Sequence, residues 1–209
     1  VPIIVSLILN ECRNKLFKRT IQTTIYFPYF ISWIILGGIL LDILSPTDGI
    51  VNEIIKAFGG DPIYFLGDNR FFKGTLVVSD VWRNFGYNSV IYLSAITGID
   101  MAQYEAAAID GVNRWQQTIH VTLPGIATIV ILMIVLNMGN LLNAGFDQVF
   151  NLYSPQVYES GDIIDTLVYR IGLEQAKFGP STAVGLLKSV ISFILISSAY
   201  LIAYKKFDY

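Results

Sequence analysis

Side chains able to do covalent or metal chemistry are scarce in this chain of 209 residues. It has one cysteine, Cys12, and one histidine, His120. A lone cysteine cannot close an intrachain disulfide, and neither residue has the companions of a Cys- or His-based metal site. No G-x-x-x-x-G-K-[ST] loop and no G-x-G-x-x-G turn after a strand occurs, so any nucleotide energy must be bound by another chain. What the residues do offer is hydrogen bonding within an apolar setting. Asp80, Asn84 and Tyr87 stand at i, i+4 and i+7, which puts them on one face of one helix. Asn137 and Asn140 stand at i and i+3 further on. Such carboxylates, amides and hydroxyls can hydrogen-bond a polar solute, and Tyr92 and Trp82, the latter off the Asp80 face, add aromatic rings. Buried in a membrane, polar groups are costly and face a cavity or a neighbour. The same residues therefore also suit hydrogen bonds between helices, and Asp80 with Arg83 suits an ion pair at i, i+3.

The apolar setting follows from composition. The chain is 54% hydrophobic and 14% charged, with a mean hydropathy of +0.56. A soluble domain carries about 25% charged residues, so a solvated surface cannot be built from these. Its 13 Phe, 12 Tyr and 3 Trp suit membrane interfaces. A net charge of -2 leaves no basic footprint for nucleic acid. The expected fold is all-α, a polytopic transmembrane helical bundle. Spans are expected over about Ile21–Leu44, with a kink at Pro28, and over about Phe72–Ile99, Ile126–Gly145 and Ala183–Tyr204. The opening "VPIIVSLILN" is too short to cross a bilayer, which takes about 20 residues. It is expected to be the tail of a fifth span whose start is missing, in an N-terminally truncated chain. Between the spans, residues 51–58 form a short amphipathic piece and residues 147–180 a long polar-aromatic connection. Lys188 is expected to snorkel to the outer surface. The dense cluster Arg13, Lys15, Lys18 and Arg19, with Arg114, Lys205 and Lys206, puts the segment after Ile99 and the C-terminus on the cytoplasmic side.

That segment is unlike its neighbours. "IDMAQYEAAAID" reads as a short helix capped by Asp100 and ended by Gly111. A second helix starts at Asn113, with Gln116 completing a capping box. Leu123-Pro124 opens the next span, where a proline is pre-organised for a first helical turn. Ala106, Ala107 and Ala108 make the first helix thin enough to enter a groove on a partner protein, and Glu105 adds one charged contact.

The spacing Glu105-Ala106-Ala107, Gly111, Val121, Leu123-Pro124 resembles the signature loop of permease subunits of bacterial ATP-binding-cassette importers, with Val121 where Ile is usual. The stretches "YEAAAIDGVNRWQQTIHVTLPGI", "FPYFISW" and "FGPSTAVGLLKSVISF" are similar to sugar permeases of the maltose type, above all the oligosaccharide and polysaccharide branch of Gram-positive bacteria. The resemblance runs from Leu9 to the end. It implies a type I importer permease fold with usually six spans, of which this chain would hold about four and the tail of a fifth, and a partial transmembrane domain over 1–209 with a cytoplasmic coupling loop at 100–124. It further implies a permease subunit that passes a sugar or oligosaccharide across the bacterial plasma membrane by alternating access. The chain would not be an enzyme and would hold no cofactor or metal. ATP and Mg would sit on partner ATPase subunits, and the other partners would be a second permease, an extracytoplasmic solute-binding protein and lipid. Glu105, Ala106, Ala107, Gly111, Leu123 and Pro124 would couple it to the ATPase. Asp80, Asn84, Tyr87, Asn137 and Asn140 would line the solute path. An ion-coupled secondary transporter or channel would share the spans, as would a non-transporting membrane assembly. Neither accounts for the hairpin motif.

Overall fold

The computed structural model describes residues 1–139, 142 and 145–207. They are helical in runs: α1 (Pro2–Glu11), α2 (Lys15–Tyr26), a 3-10 turn (Phe27–Phe30), α3 (Trp33–Ile43), α4 (Ile50–Ala57), α5 (Asn69–Thr97), α6 (Met101–Ile109), α7 (Arg114–Gln117), a π turn (Thr118–Thr122), α8 (Leu123–Gly125) and α9 (Ala127–Gly139). Then follow α10 (Phe146–Leu152), a 3-10 turn (Pro155–Val157), α11 (Tyr158–Gly161), α12 (Ile164–Tyr169), a second π turn (Arg170–Glu174) and α13 (Phe178–Phe207). The chain divides into two compact units. One comprises Val1–Phe30, Val81–Asn137 and Ile202–Tyr209, and the other Ile31–Asp80 and Met138–Leu201.

In the first unit α2 and α5 approach closely. A Cβ at Gly86 would lie 1.9 Å from the Ile25 carbonyl oxygen, so only glycine permits the contact. The ring of Tyr29 stacks on that of Tyr87, with centroids 3.9 Å apart. Arg83 donates to the Tyr29 carbonyl at 3.1 Å, and its guanidinium lies 5.5 Å from the centre of the Tyr29 ring.

The second unit is built on Phe72, Leu66, Leu152 and Val157, with Leu40, Leu44, Leu76 and Tyr153 around them. Gly161 makes room for the Phe72 ring, which a Cβ there would meet at 2.1 Å. Gln148 on α10 donates to the Leu76 carbonyl at 2.7 Å and to the Ser79 hydroxyl at 2.9 Å. Asn52 on α4 is fully buried and ties a loop together. Its amide donates to the carbonyls of Ser45 and Ile63 at 2.9 and 3.0 Å, and its oxygen accepts from Ile63 N–H at 2.7 Å. Asp162 pairs with Arg170 and accepts from the Thr166 hydroxyl at 2.7 Å. Lys188 on α13 pairs with Asp165 on α12 at 2.5 Å, so its ammonium is held by a carboxylate of the 147–180 connection.

The Asp162 carboxyl sits between opposed effects. Burial raises its pKa, while the hydrogen bonds from Arg170 and Thr166 lower it and prevail. A folded pKa below the unfolded one stabilises the fold at every pH above the unfolded value and is lost as pH falls through the folded value. Asp162→Asn should therefore lower the melting temperature of the full-length chain at neutral pH. The gap between variant and parent should close as both are acidified to about pH 3 or below. Melting curves in detergent across that range check this; a constant gap would contradict it.

The expected spans need correction. Ile21–Leu44 is not one helix. Pro28 lacks an N–H and its ring clashes with the preceding turn, so α2 tightens into the 3-10 turn, the chain bends at 31–32, and Ser32 caps a new helix by accepting from Ile35 N–H. Within the expected Ile126–Gly145 span the described helix α9 covers Ala127–Gly139, residues 140, 141, 143 and 144 lie outside the described residues, and Gly145, at φ +72°, is the N-cap of α10. The connection 147–180 is a series of short helices, with Ala176 at φ 54° ahead of α13. Among the described residues one helix is long and apolar enough to cross a membrane by itself, α13 over Phe178–Leu201, with a mean hydropathy of 1.8. Counting each of two interrupted pairs as one span gives up to three: Lys15–Phe30 with Trp33–Ile43, and Arg114–Gly125 with Ala127–Met138, the latter bent by 56°. The 29-residue α5 is not among them; Asp80, Arg83, Asn84 and Asn88 lower its hydropathy.

Candidate functional site

The hairpin 99–125 is fixed by local rules at each step. The Asp100 side chain accepts from Ala102 N–H at 3.0 Å and starts α6. At the other end the N–H groups of Gly111 and Val112 reach back to the carbonyls of Ala108 and Ala107, at 3.1 and 3.0 Å. This is the Schellman pattern, whose left-handed residue, here Gly111 at φ +77°, is cheap only for glycine. Asn113 and Gln116 then exchange hydrogen bonds in a capping box, at 2.9 and 3.0 Å. Pro124 cannot donate to the His120 carbonyl, and the helix accommodates this by widening into the π turn, with Leu123 N–H bonded to the Thr118 carbonyl. His120 is exposed, its Nδ1 3.0 Å from the Gln116 carbonyl.

One brace joins the arms and a second ties the second arm to the turn. The hydroxyls of Tyr104 and Thr122 are 2.9 Å apart; Thr122 donates to the Gln117 carbonyl at 3.4 Å, so Tyr104 is the donor between them. Gln117, itself buried, donates to the Val112 carbonyl at 3.3 Å. Glu105, Ala106 and Gly111 are exposed and Ala107 half-buried. Between the arms lies a concavity of about 370 Å³, lined among others by Gln103, Ala106, Ala107, Gln116 and His120. Ile109 and Trp115 are 87% and 72% exposed, large apolar side chains left mostly uncovered among the described residues. Leu123 and Pro124 stand at the far end of the second arm, in α8, and are also exposed. Tyr104, Gln117 and Thr122 were not singled out from sequence. No spacing rule joins residues 18 apart until the turn between them is known.

The solute-path candidates are less uniform. Asp80 falls in the second unit, and Asn84, Tyr87 and Asn137 in the first. Asp80, Arg83 and Asn84 all have interaction partners. Tyr87 spends a ring face on Tyr29, with Phe30 at its edge. The Asn137 amide donates at 2.7 Å to the Met133 carbonyl of its own helix, and the side chain is exposed. Asn140 lies outside the described residues. Among the described residues no group of three or more His, Cys, Asp or Glu could hold a metal ion.

This chain sets a capped and braced hairpin between apolar helices, and its described residues hold no strand. It belongs to the family of binding-protein-dependent transport system inner membrane components, whose sequence pattern matches residues 2–207. The polygalacturonan/rhamnogalacturonan transport system permease protein YteP of Bacillus subtilis (strain 168) is 41% identical over 207 residues, covering 99% of this chain. The chain spans 64% of that relative's length. A bacterial ABC transporter involved in the import of the acidic polysaccharide alginate has a chain of the same fold, with a TM-score of 0.96 and 35% identity, over 99% of this chain and 72% of that one. The bacterial alginate ABC transporter in complex with alginate pentasaccharide-bound periplasmic protein matches with a TM-score of 0.95, over 98% and 71%.

Proposed function

We propose that this chain is the greater part of a permease subunit of an ATP-driven importer for a sugar or oligosaccharide in a bacterial plasma membrane. Residues 100–124 are its coupling loop. In this reading a separate ATPase binds ATP and Mg and grips the hairpin through Glu105, Ala106, Ala107 and Gly111. Leu123 and Pro124 pass the motion to α9. A second permease completes the membrane path, and an extracytoplasmic solute-binding protein delivers the sugar. The chain crosses the membrane several times, through α5, α9, α13 and the interrupted pair α2 and α3. The observation that carries the reading is the hairpin itself: a thin, exposed alanine helix, closed by a left-handed glycine and braced to its second arm, with Ile109 and Trp115 left uncovered. Support for the solute class comes from the relatives, which handle polygalacturonan, rhamnogalacturonan and alginate by their descriptions.

Work is done here without covalent chemistry. A docked partner whose ATP-bound and ATP-free shapes differ favours one of two packings of the helices, and the permease contributes the difference in stability between them. Asp80, Asn84, Tyr87, Asn137 and Asn140 belong to the solute path in this scheme, Tyr87 through its hydroxyl since its ring is stacked.

The test uses the full-length permease with its ATPase. Glu105→Lys reverses the one charge on the alanine face, and Gly111→Val forces a β-branched residue into the left-handed region, at a cost of about 1–2 kcal/mol. Each is expected to reduce ATPase co-purification and ATP-driven uptake at least tenfold, while the permease still reaches the membrane. Normal co-purification and uptake in both variants would remove the coupling assignment.

A further inference from the structure

A second polar place lies on α13, apart from the hairpin and from the polar residues of α5 and α9. A concavity of about 480 Å³ is lined by Asp165 of α12 and by Gly185, Lys188, Ser189, Ser192 and Phe193 of α13. The α13 positions follow one another at i, i+3, i+4, i+7 and i+8, so they share one helical face. The Lys188–Asp165 pair closes one wall, its side chains 13% and 25% exposed. Lys188 lies in a stretch with a mean hydropathy of 1.8, the one described helix able to cross a membrane unaided. A lysine and two serines on such a helix are costly against lipid and belong beside water, solute or a polar neighbour, which for Lys188 is Asp165 of α12.

The chemistry of the wall is particular. Ammonium and carboxylate cancel in net charge, yet each keeps capacity after pairing: the ammonium has further N–H donors and the carboxylate further lone pairs. Side by side they fit two adjacent hydroxyls, one accepting from Lys188 while its neighbour donates to Asp165. Ser189 donates to the Gly185 carbonyl at 3.0 Å, which leaves its oxygen free to accept. Phe193, 72% exposed, offers an apolar ring to the C–H face of a pyranose. The volume is within the range of small-ligand sites, about 300–1,000 Å³. The buried centre of a protein–protein contact is instead depleted of charge.

We propose that this cavity is a sugar-binding subsite of the transport path, holding a pyranose ring through vicinal hydroxyls on the Lys188–Asp165 pair. The assignment rests on the importer reading above. Its test uses the full-length permease with its ATPase, second permease and solute-binding protein in proteoliposomes, with trigalacturonate and maltotriose as probes. Two variants are compared with the parent. Ser192→Leu fills the cavity and leaves the ion pair alone. The double variant Lys188→Met with Asp165→Leu removes both charges together. For whichever trisaccharide the parent carries, each variant is expected to lower the sugar taken up per ATP hydrolysed by about tenfold, the worth of one or two lost hydrogen bonds. Both should keep the second permease bound.

Unchanged sugar per ATP in both variants overturns the subsite, even if the double variant melts earlier, since an interhelical tie alone would affect only stability. Loss of the second permease from Ser192→Leu also overturns it, and makes this face a subunit contact. If the unsubstituted complex hydrolyses ATP but carries neither probe, the importer reading for these sugars fails first and the subsite with it. That result is told apart because it appears without any substitution.

Discussion

Gly86→Ala is expected to destabilise the full-length chain by about 3 kcal/mol or more, at or beyond the upper end of what overpacking usually costs. An added Cβ would lie 1.9 Å from the Ile25 carbonyl oxygen and 2.5 Å from its carbon. The obstacle is backbone, so no side chain can swing aside to relieve it, and α2 and α5 must separate. That separation would also pull apart the Tyr29–Tyr87 stack and the bond from Arg83 to the Tyr29 carbonyl. The same helix contains its own control. A Cβ at Gly74 meets nothing within 4 Å. Gly74→Ala should therefore be neutral or stabilise by about 0.5–1 kcal/mol, as alanine does within a helix. Thermal denaturation in detergent, followed by tryptophan fluorescence, reads both. Equal behaviour of the two variants would mean that α2 and α5 do not meet at Gly86.

Asn52→Leu should cost a similar amount for the opposite reason, leaving polar groups stranded. The amide of Asn52 is the donor to the carbonyls of Ser45 and Ile63 and the acceptor for Ile63 N–H. Leucine has the same branched shape but satisfies none of them, and its larger methyl groups crowd partners that stand at hydrogen-bond distance. A buried backbone group left without a partner costs about 1–3 kcal/mol, so a loss of about 3–5 kcal/mol is expected. Asn52→Asp separates volume from polarity. It keeps an acceptor for Ile63 N–H but turns a carboxylate oxygen toward two carbonyls, so it too should destabilise at neutral pH. Should Asn52→Leu melt with the parent, the loop 45–63 is held by something other than this side chain.

Features set within a few residues were legible in the sequence. Asp100, Gly111, Asn113 and Gln116 each act on neighbours no more than four positions away, and the helices of the hairpin start and stop where those residues direct. The break at 31–32 was half legible. Pro28 marked a kink, but the second half of the run needed Ser32 as a fresh cap. Contacts across long separations were not legible. Nothing in the pattern around Gly86 names Ile25 as its neighbour, and nothing around Lys188 names Asp165, 23 residues away. The segment 147–180 is a polar-aromatic connection in the sequence, with no long apolar run to mark its helices. Its short helices owe their order to tertiary anchors such as Gln148 on Ser79 and Asn69 on Ser160. The solute path was the least legible, because an amide inside an apolar helix can turn to its own backbone, as Asn137 does.

The bond between Tyr104 and Thr122 makes the hairpin a closed ring. A push on one strand that is free at its far end mostly bends or swivels it. A push on a ring is shared by both sides and arrives at its base as torque as well as displacement. Phenylalanine at position 104 would remove one hydroxyl and open the ring, turning a crank into a hinge.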